Sequence, residues 1–297
     1  MDISFELYKV FYHVAKHLNF SEAAQELFIS QSAVSQSIKA LEEKLNCQLF
    51  IRHTKQVRLT QEGETLFQHV EQAYHFIKTA ERSIHEIHSL QQGEVKIGAS
   101  DTICKYYLLP IIKEFHQTYP DIRIHITNRT SPVGIELLKK GLLDLAVVNM
   151  PEDLMDKSLE VTALADVSYQ FVAGERFCHL MDKEVSLKEL ENYPLLMLEK
   201  NTTTRILFDQ LIETNHVQIV PELELSSVDL LIELAKIGLG ISFVMESALT
   251  DISMDKGLFT LHLKESIPHR KLGILTHRQI PTSTAAKKFI ELLIERS

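Results

Sequence analysis

The feature that most restricts the fold of this chain is a pair of short helices joined by a tight turn, predicted from Asn19 to Ile38. In the first helix, small and apolar residues recur with the spacing of a buried stripe, and Ser21 is predicted to cap its start. That helix is expected to end near Phe28, and Ser30 is placed to cap the next one. The second helix carries apolar residues on one face, at steps of four, three and four, namely Val34, Ile38, Leu41 and Leu45. The pattern predicts that this face packs into a core.

The opposite face of the second helix is polar and uncrowded, because small alanines lie between its polar side chains. Glutamine can form two hydrogen bonds with adenine in the major groove, serine can bond to bases or phosphates, and lysine suits phosphate. We predict that this face reads DNA through Gln31, Ser32, Ser35, Gln36 and Lys39. Periodicity alone leaves an ordinary solvated helix face as the alternative.

A wing is predicted to follow the two helices. Asn46 can adopt the left-handed conformation that ends a helix, and residues 48–59 have the pattern of two short strands. Arg52, His53 and Lys55, at and beside the turn, could lie along DNA phosphates. A plain surface hairpin is the alternative for this segment.

Three motifs over the first 65 residues extend this interpretation. The helical pair fits AAxxLxxSQxAxSxxIxxLE through Ala23, Ala24, Leu27, Ser30, Gln31, Ala33, Ser35, Ile38, Leu41 and Glu42. The segments that follow fit LFxR through Leu49, Phe50 and Arg52, and LTxxG through Leu59, Thr60 and Gly63. Together they resemble the amino-terminal domain of LysR-type transcriptional regulators. The resemblance implies a winged helix-turn-helix DNA-binding domain over residues 1–60, with the motif at 19–38.

The net charge of −9 is unfavourable for a DNA-binding protein, because lysine and arginine supply much of the affinity for phosphate. The charge is uneven, however. Through Thr60 the chain has seven lysines and arginines against six aspartates and glutamates, so most of the acidity lies downstream. Local placement decides DNA binding, and Lys39, Arg52, Lys55 and Arg58 lie in or just after the second helix.

Several classes of protein lack support in the sequence. The acidic start does not resemble a secretory signal, and no apolar run is free enough of charge to be a membrane helix, so a cytoplasmic protein is expected. Cys47, Cys104 and Cys178 are too few and too scattered for a disulfide framework or a zinc site. No nucleophile elbow, dinucleotide loop, HExxH or P-loop is present, so we expect neither an enzyme nor a cofactor.

A long helix is predicted to follow the wing, capped by Thr60 and broken at Gln91, Gln92 and Gly93. Its apolar residues alternate steps of four and three, which is the 3.5-residue repeat of a coiled coil: Leu66, Val70, Ala73, Ile77, Ala80, Ile84 and Ile87. We predict that residues 61–92 form a linker and dimerisation helix, with packing on its own domain as the alternative. A two-fold dimer would require a nearly palindromic DNA site. His85 and His88 lack the spacing of a metalloprotease site and are expected to be solvated.

From residue 93 onward, strands alternate with helices, which predicts parallel sheets. Predicted strands are 94–98, 122–127, 143–148, 169–172, 195–198, 222–225, 241–244 and 271–275. Predicted helices are 106–118, 133–140, 205–215, 228–237 and 283–296. The LysR resemblance implies a two-lobed α/β effector domain of the type 2 periplasmic-binding-protein-like fold over 93–297. Lobe I would comprise 93–164 and 268–297, and lobe II 165–267. The whole chain is thus predicted to be an α+β multidomain protein.

Polar side chains cluster after several of these predicted strands, and we expect them to meet at one end of the sheet. The clusters are Ser100 to Thr102, Asn149, Asn201 to Thr204, and Ser226 with Ser227. Helix starts attract anions, and ligands bind outside the carboxyl ends of strands in such folds. The resemblance implies effector contacts at Ser100, Thr102, Asn149, Thr202 and Thr203, to which we add Ser227. Each of these residues could instead be only a helix cap. Arg205 and Arg129 are the expected compensating charges for a small anion.

The sequence thus predicts a ligand-responsive transcriptional regulator, dimeric or tetrameric. By resemblance, effector binding changes how paired dimers sit on promoter DNA. Whether RNA polymerase is a further partner is left open. A regulator without effector response, a transport binding protein and an enzyme are the alternatives. Peroxide sensors of the family carry a cysteine pair around residues 199–208, where this chain has none. Cys104 is therefore interpreted as an inert small residue.

Overall fold

The structure is a computed structural model that describes residues 3–53, 56–88, 93–150, 156–249 and 257–296. Contacts between residues divide the chain into two compact units, Met1–Ile84 and His85–Ser297. Lys55 lies outside the described residues, as do the side chains of Arg52, His53 and Ile87. Among the described residues, no helix is both long and apolar enough to cross a membrane.

The first unit begins with three helices, α1 Phe5–His17, α2 Phe20–Leu27 and α3 Gln31–Leu45. The predicted cap of α2 is wrong. Asn19, not Ser21, precedes the helix, and its side-chain oxygen accepts hydrogen bonds from the backbone N–H groups of Ser21 at 2.9 Å and Glu22 at 3.4 Å. Asparagine is as good a cap as serine, and its earlier position places Ser21 inside the helix. Ser30 caps α3 as predicted, accepting from the Ala33 N–H at 3.2 Å.

The core of this unit forms where the apolar face of α3 packs against α1 and α2. Val34, Ile38 and Leu41 are fully buried beside Phe11 and Ala23, which confirms the predicted face. Asn46 ends α3 with a positive φ of 52°, also as predicted. The wing follows as the antiparallel pair β1 Phe50–His53 and β2 Gln56–Leu59.

A long helix, α4 Gln61–His88, follows the wing, and the Thr60 hydroxyl accepts from the Gly63 N–H at its start. The predicted seam divides into two parts. Leu66 and Val70 pack into the core of their own unit, so the alternative interpretation is correct for this first part. The reason is that α1 lies against this stretch, with the rings of Tyr12 and Tyr74 stacked 4.3 Å apart. The apolar residues that follow at the same spacing are exposed, namely Ala73, Ile77, Ala80 and Ile84.

The second unit contains two five-stranded sheets with helices packed on them. The strands are β3 Glu94–Ala99, β4 Arg123–Asn128, β5 Leu145–Asn149, β6 Leu159–Val167, β7 Tyr169–Gly174, β8 Glu184–Val185, β9 Leu195–Leu198, β10 Leu223–Leu225, β11 Ile241–Met245, β12 Leu258–Thr260, β13 His262–Leu263 and β14 Arg270–His277. The helices are α5 Asp101–Ile103, α6 Leu109–Thr118, α7 Ser131–Lys139, α8 Leu187–Leu190, α9 Thr203–Thr214, α10 Val228–Lys236 and α11 Thr284–Glu295.

The first sheet has the strand order β4-β3-β5-β14-β6, and the second β10-β9-β11-β7-β12. Strands β3, β4 and β5 run parallel, as do β9, β10 and β11, so each group directs its carboxyl ends to one edge. β6 and β14 both belong to the first sheet, where they pair antiparallel with each other. The chain therefore leaves this sheet after β6 and returns with β14, which gives the predicted two-lobed α/β architecture. Lobe I is used below for the first sheet with its helices, and lobe II for the second.

Two local predictions for this unit are wrong. The helix predicted from residue 106 begins at Asp101, because a π-helical turn at Cys104–Leu108 joins α5 to α6 into one helical run. Strand β6, nine residues long, was not expected. Its sequence mixes polar and small residues, and it lies at the edge of the sheet, so it lacks the apolar run of a buried strand.

Candidate functional site

The polar face of α3 is available to solvent. Gln31, Ser32, Gln36 and Lys39 are exposed, and Ser35 is partly buried at the edge of the face. The Lys39 ammonium lies 3.7 Å from the Glu43 carboxylate, a contact between two largely exposed groups that costs little to break. The face can therefore present two amides, two hydroxyls and one cation without disturbing the core.

The wing contains further basic residues. Arg52 and His53 lie on β1, and Lys55 was predicted in the turn, outside the described residues. On β2, the exposed Arg58 guanidinium donates to the Gln56 side chain at 2.8 Å. Arg58 is thus a further cation on this hairpin that the predicted set did not include.

A cavity of about 490 Å³ lies between the two lobes of the second unit. Lobe I lines it with residues at or just after the carboxyl ends of β3, β4 and β5, and lobe II with residues at or just after those of β9, β10 and β11. All six predicted effector residues belong to the lining, which includes Ser100, Thr102, Asn149, Thr202, Thr203 and Ser227. The polar residues at the strand ends therefore meet as predicted. They belong to two sheets, however, whereas the sequence predicted a single sheet.

Three of these hydroxyl groups are also helix caps. Ser100 accepts from the Ile103 N–H, Thr202 from the Arg205 N–H and Ser227 from the Leu230 N–H, each at 3.3 Å. Each cap hydroxyl still has its hydrogen to donate, except that Thr202 donates to the Glu199 carbonyl at 3.0 Å. The cap interpretation is correct for all three residues. For Ser100 and Ser227 it is compatible with ligand contact.

Asn149 is a buried polar residue of the lining, as is Ser131. Its backbone N–H donates to the Ser131 hydroxyl at 3.3 Å, and its side-chain Nδ2 donates to the Tyr169 hydroxyl at 3.1 Å. Burial raises the pKa of Tyr169 to about 12, so this hydroxyl stays neutral. The Oδ1 atom of Asn149 is buried and has no hydrogen-bond partner among the described residues. A buried acceptor of this kind is expected to bind a donor from water or from a ligand.

The charge expected from Arg205 does not line the cavity. The Arg205 side chain is 6% exposed, and its Nε donates to Asp209 at 2.8 Å. Its Nη1 donates to Glu224 at 2.8 Å and to the Leu198 carbonyl at 3.2 Å. The guanidinium is therefore used to fasten β9, β10 and α9 together, and the prediction of an effector charge there is wrong.

Other charged side chains do line the cavity. Arg129 belongs to the lining as predicted and donates to the Asn128 carbonyl at 2.7 Å. Lys200, which the sequence did not single out, is a second exposed cation of the lining. Asp101 and Glu199 balance these two charges, and Asp101 accepts from the Asn128 amide at 3.1 Å.

A contact between the lobes joins the two helical runs whose caps, Ser100 and Ser227, line the cavity. Lys105, in the π-helical turn of lobe I, donates to Asp229 of lobe II at 2.7 Å, and the Tyr106 hydroxyl donates to the same oxygen. The hydrogen bond from Lys105 holds the pKa of Asp229 below its usual range. The same pair raises the pKa of Lys105 to about 12. We refer to Lys105, Tyr106 and Asp229 as the lobe clasp.

Cys104 follows the first helix start of the cavity, but its environment does not favour a thiolate. Burial raises its pKa to about 11, and Asp101 adds to the effect. A redox-sensing cysteine requires the opposite shift. The thiol is therefore protonated at neutral pH.

A larger groove, of about 1150 Å³, lies elsewhere on lobe I between α6 and the edge strand β4. It is lined by none of the predicted effector residues. Its lining combines apolar residues such as Leu109 and Ile112 with separate basic ones such as Lys113. The cavity between the lobes, where polar groups converge, is the better candidate for a small polar ligand.

Comparison with protein families matches both units of the chain. Residues 5–64 match the family model described as a bacterial regulatory helix-turn-helix protein of the lysR family. Residues 88–297, more than half of the chain, match the LysR substrate binding domain. An uncharacterised HTH-type transcriptional regulator of Bacillus subtilis, YwqM, is 30% identical over 245 residues, which are 81% of this chain and 82% of that protein.

Solved structures share the fold. Full-length OxyR from Pseudomonas aeruginosa superimposes with a TM-score of 0.70 at 21% identity, over 99% of this chain and 94% of that one. The regulatory domain of CcmR from Synechocystis, solved in complex with 2-PG, superimposes with a TM-score of 0.63 at 22% identity. This match covers 69% of the chain and 97% of the CcmR domain.

Proposed function

The chain belongs to the LysR family of transcriptional regulators, and we propose that a small anionic metabolite bound between its two lobes controls how it binds promoter DNA. The observation that carries the proposal is the convergence on one cavity of helix starts and hydroxyl groups from both lobes. A ligand that touches both lobes binds one lobe arrangement better than another, and such a difference in affinity is what shifts a conformational equilibrium.

The chemistry of the lining supports an anion that also carries a hydrogen-bond donor. The starts of α7, α9 and α10 and of the run from α5 to α6 all contribute residues to the cavity, and helix starts favour negative charge. Arg129 and Lys200 can add positive charge. The unpartnered Oδ1 of Asn149 offers an acceptor for a hydroxyl group of the ligand. The 2-PG complex of the structurally similar CcmR domain makes 2-PG the first compound to test.

Thermal-shift measurements on the full-length protein test the ligand proposal. We would compare 2-PG, citrate and sulfate with neutral glucose. The variants are Ser100→Ala and Ser227→Ala, with Ser186→Ala as matched control, because Ser186 caps α8 outside the cavity lining. Each substitution costs about 1 kcal/mol of capping, so only the two cavity variants should also lose ligand stabilisation. Stabilisation of the wild type by none of the anions, or an equal response in all variants, would contradict the proposal.

We further propose that α3 enters the major groove and that the wing contacts phosphates. Gln36 is the proposed base reader, with Gln31, Ser32 and Ser35 beside it and Lys39 directed to the backbone. Fluorescence anisotropy against the DNA upstream of the gene and a scrambled duplex, over a salt series, tests this. A salt-dependent preference for the upstream DNA supports sequence reading; equal binding to both duplexes argues against it.

The exposed stripe of α4 is the proposed dimer seam. Ala73, Ile77, Ala80 and Ile84 keep the spacing of a coiled coil, and 40% of Ile77 and 57% of Ile84 are exposed. Apolar residues repeated along one exposed helix face favour pairing with a second helix. A two-fold pair would present two reading helices to two half-sites.

A further inference from the structure

Two histidines and a glutamate meet where α1 packs against α2 in the first unit. His13 and His17 are four residues apart on α1, so both rings lie on the same side of that helix. Glu26 approaches from α2. Its Oε2 atom lies 3.2 Å from His13 Nδ1 and also contacts His17 Nε2. One nitrogen of each ring and one carboxylate oxygen all lie within 4.8 Å of one another.

The outer nitrogen of each ring is also occupied. His13 Nε2 lies 3.3 Å from the Tyr74 hydroxyl, and His17 Nδ1 lies 3.4 Å from the Glu22 carboxylate. Partners of this kind fix the orientation of a histidine that binds a metal, and they leave the inner nitrogen to face the ion. Both histidines therefore have the outer contacts that metal-binding histidines use.

The inner nitrogen of His13 gives an independent indication. The side chain is 6% exposed, and its buried Nδ1 lies 3.2 Å from Glu26 Oε2 without the alignment of a hydrogen bond. Because Nε2 can donate its proton to Tyr74, Nδ1 then carries a lone pair directed at a carboxylate oxygen. Two acceptors that face each other are unfavourable unless a cation or a proton lies between them.

We propose that His13, His17 and Glu26 bind one divalent first-row transition metal ion, of which Zn²⁺ is the representative. Imidazole nitrogen and carboxylate oxygen suit this class of ion, and two histidines with one glutamate form a known zinc ligand set that leaves a fourth position open. The Lys16 ammonium lies 3.0 Å from Glu26 Oε1, which leaves Oε2 as the single oxygen for the metal.

The bound ion would join α1 to α2, and none of the proposed DNA-reading residues of α3 belongs to the site. Metal binding to the folded protein alone stabilises it by an amount that rises with the logarithm of the free ion concentration. The expected consequence is a rise in the melting temperature of the first unit, without a change in DNA sequence preference.

The test uses full-length protein stripped with a chelator and then titrated with Zn²⁺ or Co²⁺, with Mg²⁺ as the hard-cation control. Metal content per chain and the visible absorption of bound Co²⁺ are the readouts. The ligand variants are His17→Gln and Glu26→Gln, both partly exposed residues. His69→Gln, an exposed histidine of α4 in the same unit, is the matched control for weak binding by surface histidines. Circular dichroism checks the fold of each variant.

The proposal predicts one tightly bound Zn²⁺ per chain in the wild type and in His69→Gln, and its loss in both ligand variants. Tyr74→Phe keeps the ring packing but removes the hydroxyl beside His13, and should weaken Zn²⁺ binding by about 10- to 100-fold. If folded wild type bound no stoichiometric Zn²⁺, the proposal would be overturned. A proton, and not a metal ion, would then lie between His13 Nδ1 and Glu26 Oε2. Equal binding by wild type and His17→Gln would also overturn it.

Discussion

Replacing Arg205 with methionine separates two roles for this residue, because the sequence suggested an effector charge whereas the structure places the guanidinium in a structural contact. Methionine keeps much of the length and the apolar stem of arginine. It removes the hydrogen bonds to Asp209, to Glu224 and to the Leu198 carbonyl. We expect Arg205→Met to destabilise the second unit whether or not a ligand is present.

The magnitude follows from the exposure of the partners. Arg205 itself is buried, but the side chains of Asp209 and Glu224 are 48% and 37% exposed and can be resolvated when the arginine is removed. Hydrogen bonds to charged groups contribute about 1.5–3 kcal/mol, and exposure reduces each ion pair to about 1 kcal/mol. With about 1 kcal/mol for the carbonyl bond, the loss is about 3 kcal/mol. For a unit of this size that corresponds to a decrease in Tm of about 6–12 °C.

Scanning calorimetry of the full-length protein measures this change, with Asp209→Asn as the partial removal. Asp209→Asn should lower the Tm of the same transition by about 2–4 °C, since only one ion pair weakens. An unchanged Tm in Arg205→Met, together with lost ligand stabilisation, would refute the structural role and restore Arg205 as an effector charge.

Five further substitutions test other parts of the molecule. Gln36→Ala should reduce the preference for one base pair by about 1–3 kcal/mol. Lys39→Ala should weaken binding to all duplexes alike and reduce the slope of log affinity against log salt by about one. Equal losses of affinity for all sequences in both variants, measured by anisotropy, would remove Gln36 from the reading face. Ile84→Glu should shift sedimentation toward monomer, and an unchanged distribution would contradict the α4 seam. Burial lowers the pKa of His277, so the fold loses stability as pH falls below about 6.5; in His277→Gln the dependence of Tm on pH should flatten between about pH 7 and 5, and an unaltered slope would argue against it. Asp229→Asn should weaken binding of a stabilising anion by about tenfold in calorimetric titration, and unchanged affinity would uncouple the lobe clasp from the cavity.

The fold could be predicted from local signals wherever periodicity and capping agree. Val34, Ile38 and Leu41 have the spacing of a buried helix face, and Ser30 and Asn46 mark the two ends of the same helix. The predicted LysR family is confirmed by the two family models that match the chain, and the fold class by these models and the solved structures. The limits of the three predicted domains at residues 1–60, 61–92 and 93–297, and the individual roles of the site residues, stay predictions.

What the sequence could not provide depends on contacts between distant segments. Arg205 pairs with Glu224, 19 residues away on another strand, and no local pattern indicates that its charge is already used. The same holds for the approach of Glu26 to His13 and His17, because the HxxxH spacing becomes informative only when α2 is seen to supply a carboxylate. Leu66 and Val70 fit a coiled-coil repeat equally well whether their partner is a second subunit or their own domain. A periodic pattern identifies the buried face of a helix but not the partner that covers it.

The free energy of the lobe clasp indicates how strongly an effector must favour one lobe arrangement over another. Lys105 and Asp229 are each 45% exposed, so their ion pair contributes at most about 1 kcal/mol, and the Tyr106 hydrogen bond adds about as much. An effector changes the balance between lobe arrangements only through its difference in affinity for them. An affinity difference of about 10- to 30-fold corresponds to about 1.4–2 kcal/mol, which is similar to the combined contribution of the two clasp interactions. Since Ser100 lines the cavity from one lobe and Thr203 from the other, a small anion that needs both would supply that difference.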